Sequence, residues 1–255
     1  MKKQDLIFIL GVTVLLLPFF ICKPVSEWYY AFNASHGMIM SFLKFAVLST
    51  LGEMIGLRIS SGVYNRRGFG ILPRMLVWGV LGMGINIAMI IFSNGTPVVL
   101  QYLGMQDAVQ VMHEMLSWKK AGVAFAVSVS MNTLFAPVFM TLHKVTDIHI
   151  LTQGGTLRGF FTPIHIREIL INLNWGVLWG FVFKKTIPLF WYPAHTITFL
   201  LPGNMRVLFA ALLGVVLGVL LAVGARMGEK NTGRKKAGIV RLSVLIWISF
   251  LYFLL

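Results

Sequence analysis

A single cysteine, Cys22, stands among 255 residues. It excludes an intrachain disulfide framework and any zinc or iron–sulfur site built on several thiolates, and it reads as a packing residue. Charge is scarce too: Asp, Glu, Lys and Arg together make only 12% of the chain, and 8 residues are acidic. An ordinary soluble domain carries about twice that share of charge, so a water-soluble fold is excluded. No GxSxG elbow, P-loop or dinucleotide fingerprint occurs in its strand context. The chain is therefore read as non-enzymatic and as needing no cofactor. Alternating segments of about 10 residues are missing as well, and with them the signature of a transmembrane barrel.

What is present is apolar: 57% of the residues are hydrophobic and the mean hydropathy is +0.81. A bilayer core about 30 Å thick takes roughly 20 apolar residues per helical crossing, and several such runs follow one another here between short polar breaks. The expected fold is all-α, a polytopic transmembrane helical bundle forming one membrane domain over 1–255. Crossings are expected near 6–22, 37–57, 71–93, 121–142, 205–225 and 238–255. The first follows the basic start "MKK" like a signal peptide, but no small-residue cleavage site comes after it, so it reads as a retained anchor.

Between 164 and 201 one further crossing is expected, over either 164–183 or 186–201. Inner loops carry an excess of Lys and Arg. With the N-terminus inside, "RISSGVYNRR" (58–67) and "RMGEKNTGRKK" (226–236) fall inside, while 94–118, with Asp107, Glu114 and no Lys or Arg, falls outside. A crossing over 186–201 keeps Arg158, Arg167, Lys184 and Lys185 inside as well, and is preferred. Residues 164–183 then form a helix at the inner interface, with Arg167, Glu168, Asn172 and Asn174 on its wetter side. Seven crossings result, N-terminus in and C-terminus out.

The formal net charge of +14 does not require a nucleic-acid partner. The basic residues spread over inner loops and span ends, where the lipid bilayer and its anionic headgroups account for them. The setting is read as a bacterial cytoplasmic membrane, or an organelle membrane in a eukaryote. The sequons at Asn33 and Asn94 matter only in a secretory compartment.

Lipid tails give helices no hydrophobic reason to associate, so small residues and interhelical hydrogen bonds must do it. Ala210, Gly214, Gly218 and Ala222 recur every four residues as one smooth stripe; Gly52 and Gly56 form a GxxxG. Ser49, Glu53, Gly56 and Ser60 share a helical face, as do Gly79, Gly82 and Asn86, and Ser128, Asn132 and Ala136. These faces are open to two readings. One is close packing with Asn and Glu as hydrogen-bonding glue. The other is a wet path with Glu53 as its strongest member, since ionisable residues in spans face the bundle interior or water.

The passage "IPLFWYPAHTITFLLPGNMR" (187–206) packs three prolines, His195 and Arg206 between apolar runs. Pro193 reads as a kink within a crossing, Pro202 with Gly203 as its end, and Arg206 as the start of the returning helix. Pro137 kinks the fourth span. The segment "HKVTDIH" (143–149) offers His143, Asp147 and His149, with His165 and Glu168 further on, but it lacks HExxH spacing and reads as a loop, so no metal is assigned.

"NTLFAPVFM" (132–140) and "FWYPAHTITFLLPGNMR" (190–206) together resemble the Mpv-seventeen family of peroxisomal and mitochondrial inner-membrane proteins, which includes the peroxisomal-membrane-protein-twenty-two group. That family carries an acidic-Gln pair, then Phe-Ala-Pro, and later Trp-Pro, Gln, Asn-Phe, Pro and Arg. Here Phe135, Ala136 and Pro137 match, Asn132 stands for the Gln and Met131 replaces the acid. Trp191, Pro193, Phe199, Pro202 and Arg206 match with a one-residue shift in spacing, and His195 takes roughly the place of the second Gln. "LSTLGEMIG" (48–56) is similar to the family's early Gly-Asp segment, with Glu53 as its acid, whereas "LGMGINIAMIIF" lacks the family's Gly-Pro and Trp-Tyr pair. The resemblance covers about 37–225 and makes 1–36 and 226–255 added terminal spans with loops. It implies a distant, bacterial relative acting as a channel for a small solute or ion of unknown identity, with a homo-oligomer left open. The alternative is a non-conducting membrane scaffold or regulator of membrane homeostasis. The expected conduit or polar-interior residues are Glu53, Asn86, Ser128, Asn132, His195 and Arg206.

Overall fold

The computed structural model describes residues 2–230, without the side chains of 217 and 220–230. The crossing expected over 238–255, most of the basic 226–236 loop and the side chain of Ala222 thus lie outside the described residues. Every element among the described residues is helical, and the chain divides into two compact units after Met40.

The first unit holds α1 (Lys3–Leu16), α2 (Pro18–Ile21) and α3 (Lys23–Ser35). The Lys2 amide donates to the Asp5 carboxylate at 2.8 Å, which satisfies one orphan donor at the start of α1. Together Lys3–Ile21 are long and apolar enough to cross a membrane. In α3, Trp28 stacks on Phe32 at 5.3 Å and Phe32 on His36 at 4.5 Å, the amphipathic aromatic composition of interfacial belts.

In the second unit the long helices are α4 (Gly37–Ser61, which begins just before the division) and α5 (Ile71–Tyr102). Both are long and apolar enough to cross. At 32 residues α5 is about 48 Å long, well beyond the bilayer core, so it overruns the crossing expected over 71–93. After the short α6 (Ala108–Val111), α7 (Trp118–Leu134) begins at Ser117, whose hydroxyl accepts the Lys120 amide at 3.1 Å. The chain bends by 45° between α7 and α8 (Ala136–Thr152), which as a pair form a fourth candidate crossing. Pro137, in the first turn of α8, cannot donate to the carbonyl four residues back, and its ring crowds that turn.

Two expectations about the next stretch need correction. The segment 143–149 is not a loop but part of α8. The helix expected over 164–183 is broken: after α9 (Leu157–Phe160), α10 (Ile166–Ile171) stops at Asn172. A new start follows because the Asn174 side chain accepts the Val177 amide at 3.1 Å and caps the next helix. From there the backbone stays helical through α11 (Trp175–Val177), a π-helical stretch (Leu178–Trp191) and α12 (Tyr192–Leu200). The two alternative crossings thus share one run, with Lys184 and Lys185 exposed in its middle. Thr186 donates to the Phe181 carbonyl five residues back, in π register, at 3.4 Å. Pro193 sits in the first turn of α12, and Ser128 donates to the Tyr192 carbonyl at 2.7 Å from α7. The chain then turns at Pro202 into α13 (Gly203–Lys230).

The core gathers Phe45, Val127, Met131, Phe199 and Ala211 from α4, α7, α12 and α13. Close backbone approach holds it. A Cβ on Gly52 would fall 2.8 Å from the Val215 Cα, and one on Gly218 would fall 3.1 Å from the Gly52 carbonyl oxygen. Gly214 lies against the Ser49 hydroxyl, Gly56 against the Gly218 carbonyl, and Ala210 is buried.

Candidate functional site

Three helices converge on one ion-pair cluster. Arg74 and Trp78 stand one turn apart on α5, and His143 and Asp147 stand one turn apart on α8, so each helix offers two side chains on one face. Both pairs meet Glu53 of α4. Arg74 Nη1 donates to Glu53 Oε2 at 2.5 Å, and its Nη2 donates to Asp147 Oδ1. Arg74 Nε donates to the Phe69 carbonyl at 2.7 Å, and the guanidinium lies 4.5 Å from the Phe69 ring centroid. Glu53 Oε1 accepts from Trp78 Nε1 at 3.1 Å and meets His143 Nε2 at 3.2 Å. A carboxylate oxygen only accepts, so Nε2 carries the proton there. Lys144 Nζ completes the group on Asp147 at 3.1 Å.

Arg74 is 8% exposed, Asp147 15% and Glu53 19%. Groups withdrawn from water to that degree need partners, and the rigid guanidinium fork serves two carboxylates at once in a way an ammonium cannot. Two cations, Arg74 and Lys144, balance two anions, Glu53 and Asp147.

Beside the cluster lies a cavity of about 270 Å3. Successive turns of α4 place Glu53, Ser49 and Phe45 along one wall. The α7–α8 bend contributes Asn132, Phe135, Phe139 and His143; the π-helical stretch and α12 contribute Phe181, Trp191 and His195. Gly214 and Gly218 leave the space open on the α13 side. Arg74 and Asp147 stand behind Glu53, outside the lining.

Glu53, Asn132 and His195 thus share one cavity although they lie far apart in sequence. Asn132 Nδ2 donates to the Ser128 carbonyl at 2.8 Å, and His195 stacks on Trp191 with ring centroids 5.1 Å apart. The other expected interior residues are elsewhere. Asn86 Nδ2 donates to Ser41 Oγ at 2.8 Å between α5 and α4. Ser128 serves the Tyr192 carbonyl. Arg206 donates to the carbonyls of Leu201 and Phe199, at 3.0 and 3.1 Å, and so caps the end of α12 rather than facing the cavity.

Arg74 escaped the sequence reading, although an arginine three residues into an apolar run was the available signal. The His143–Asp147–His149 group does not converge: His143 turns to Glu53, Asp147 to Arg74, and His149 Nε2 to the Phe160 carbonyl at 3.1 Å. Among the described residues no three His, Cys, Asp or Glu side chains come together to hold a metal. Two lysines just beyond the lysine-free 94–118 segment fold back onto it, Lys119 to the Asp107 carboxylate and Lys120 to the Glu114 carbonyl. The Lys119 hydrogen bond holds the exposed Asp107 carboxyl below the usual aspartate range. No family model, curated protein or solved structure matches the chain.

Proposed function

We propose that the chain is an integral membrane protein of seven crossings with its N-terminus inside, distantly related to the Mpv-seventeen family, and that its cavity is a chamber on the path of a small solute. The observation that carries this reading is the common cavity of Glu53, Asn132 and His195, drawn from three separate helices whose lining is otherwise mostly aromatic and aliphatic. Glu53 is already engaged by Arg74, Trp78 and His143. It presents no bare carboxylate, so the solute that fits is uncharged rather than a cation.

Purified protein in liposomes provides the test, read as swelling in glycerol, erythritol and glucose by light scattering. Wild-type vesicles should take up the smaller solutes faster than protein-free vesicles, and Val182→Trp, which fills the cavity from the π-helical stretch, should return uptake towards the protein-free rate. Uptake at the protein-free rate for every solute refutes the conduit. The complete pairing of the cluster favours a second reading, a non-conducting scaffold whose polar interior only fixes helix positions.

A further inference from the structure

A second pocket, of about 420 Å3, opens between α5, the start of α7 and the turn from α12 into α13. Lys120, Arg206 and His113 line it together with Ser93, Asn94 and Pro202, and no Asp or Glu stands among the described lining residues. Three basic side chains from separate elements thus converge on one space. The charges of Lys120 and Arg206 are not balanced by the bonds they make: Lys120 Nζ donates to the Glu114 carbonyl at 2.6 Å, and Arg206 donates to the carbonyls of Leu201 and Phe199. All three acceptors are neutral. Asp107, an acid of the same end, is already paired with Lys119. Lys120 and Arg206 are both partly exposed and keep further N–H donors, so both remain open to an anion.

Depth narrows the choice of anion. Asn94 lies about 34 Å along α5 from Ile71, and the hydrocarbon core that α5 is long enough to cross is about 30 Å thick. The pocket therefore sits at the level of lipid headgroups, where basic pockets between helices hold phosphate.

We propose that this pocket binds a phosphate group, carried by a lipid headgroup or free in solution, with Arg206 and Lys120 as its charge partners and Asn94 and His113 as further donors. Phosphate oxygens point in several directions, so cations from different helices serve them at once, Arg206 through paired N–H groups and Lys120 as a point charge. A carboxylate holds its oxygens in one plane and fits such a convergence less well. Asn94 Nδ2 gives one proton to the Ile90 carbonyl at 2.8 Å and keeps the other. A space of about 420 Å3 exceeds what a bare phosphate fills and leaves room for an ester group. The pocket shares no lining residue with the cavity of Glu53, so the assignment stands apart from the solute chamber.

Equilibrium dialysis of the purified full chain tests it, in a maltoside detergent that carries no phosphate and with matching empty micelles in both compartments. Three labelled probes are compared: orthophosphate, dihexanoylphosphatidylglycerol, and dihexanoylglycerol, which lacks the phosphate. Saturable binding of orthophosphate, more tightly than the phospholipid, upholds the site and assigns it to free phosphate. Binding of the phospholipid more tightly than both other probes upholds the site and assigns it to a headgroup. No saturable binding of orthophosphate, together with phospholipid and dihexanoylglycerol bound alike, would overturn the proposal.

Lys120→Gln and Arg206→Gln should each weaken the bound phosphate probe about tenfold, the worth of one charge-assisted hydrogen bond. Lys185→Gln, which removes an exposed charge elsewhere, should leave its binding unchanged. Equal losses in Lys185→Gln and Lys120→Gln would reduce the effect to general attraction by the chain's net charge and overturn the site, as would a Lys120→Gln variant that binds like wild type. Arg206 also caps α12, so if Arg206→Gln fails to fold, Lys120→Gln and the comparison of probes on wild type still decide.

Discussion

Arg74 holds the polar interior together through three bonds made at once from one rigid, planar guanidinium. It reaches Glu53, Asp147 and the Phe69 carbonyl from the first turn of α5. Arg74→Met would leave the partly buried Glu53 and Asp147 carboxylates without their shared cation and with only His143 and Lys144 beside them, a change expected to cost up to about 3–5 kcal/mol. Arg74→Lys should recover only part of this, since one ammonium lacks the fork. The triple variant Glu53→Gln, Arg74→Met, Asp147→Asn should be more stable than Arg74→Met alone, because the charge it leaves without its partner is that of Lys144, which is half exposed to water. Thermal unfolding in detergent checks the order: wild type above Arg74→Lys, Arg74→Lys above Arg74→Met, and the triple variant above Arg74→Met. A triple variant as unstable as Arg74→Met would mean that packing rather than charge sets the cost. Glu53 was legible in the sequence because a lone acid in an apolar run declares itself. Its partner was not, since Arg74 lies 21 residues away and Asp147 lies 73 residues from Arg74, on other helices.

Glycine spacing carries the helix contacts at the next scale up. Gly52 and Gly218 bring the backbones of α4 and α13 so close that a Cβ on either would press on the other helix within 3.1 Å. In lipid this proximity replaces the hydrophobic drive that a soluble core enjoys. Gly218→Leu should therefore separate the pair and lower thermal stability by the cost of overpacking, about 1–3 kcal/mol, whereas Gly84→Leu, where a Cβ would meet nothing within 4 Å, should not. Equal melting of the two variants would show that the α4–α13 contact contributes little. Such faces were readable from four-residue spacing alone. The π-helical stretch was not, because its register depends on bonds such as that of Thr186 to the Phe181 carbonyl, and Pro193 read simply as a kink within a crossing. Where the sequence offered two competing crossings, the chain runs one helical stretch from Trp175 to Leu200, and the asparagine cap at Asn174 was the local clue to its start.

Across the whole molecule, the direction of each long helix fixes which loops share a side. The loop 62–70 and the loop 153–156 meet backbone to backbone: Gly70 and Gly155 both have φ near +70°, and a Cβ on Gly155 would fall 2.7 Å from the Gly70 nitrogen, so only glycine suits both the left-handed conformation and the contact. The far end of α5, at Tyr102, stands about 48 Å from its start, more than a bilayer core away. Ser61 and Arg158 therefore belong to one end of the second unit and Gln106 to the other. In a Cys22→Ser background, single cysteines at Ser61, Arg158 and Gln106 are exposed enough to react with an impermeant maleimide in sealed vesicles. The expected result is that Ser61 and Arg158 label together from one side, and Gln106 labels only from the other. Because 94–118 has no Lys or Arg and the Lys119 charge is returned to Asp107, the Gln106 side should be the outer one in intact cells. Labelling of Gln106 from the same side as Ser61 would mean that α5 does not cross. It would remove the seven-crossing arrangement with it, since every later crossing is counted from that helix.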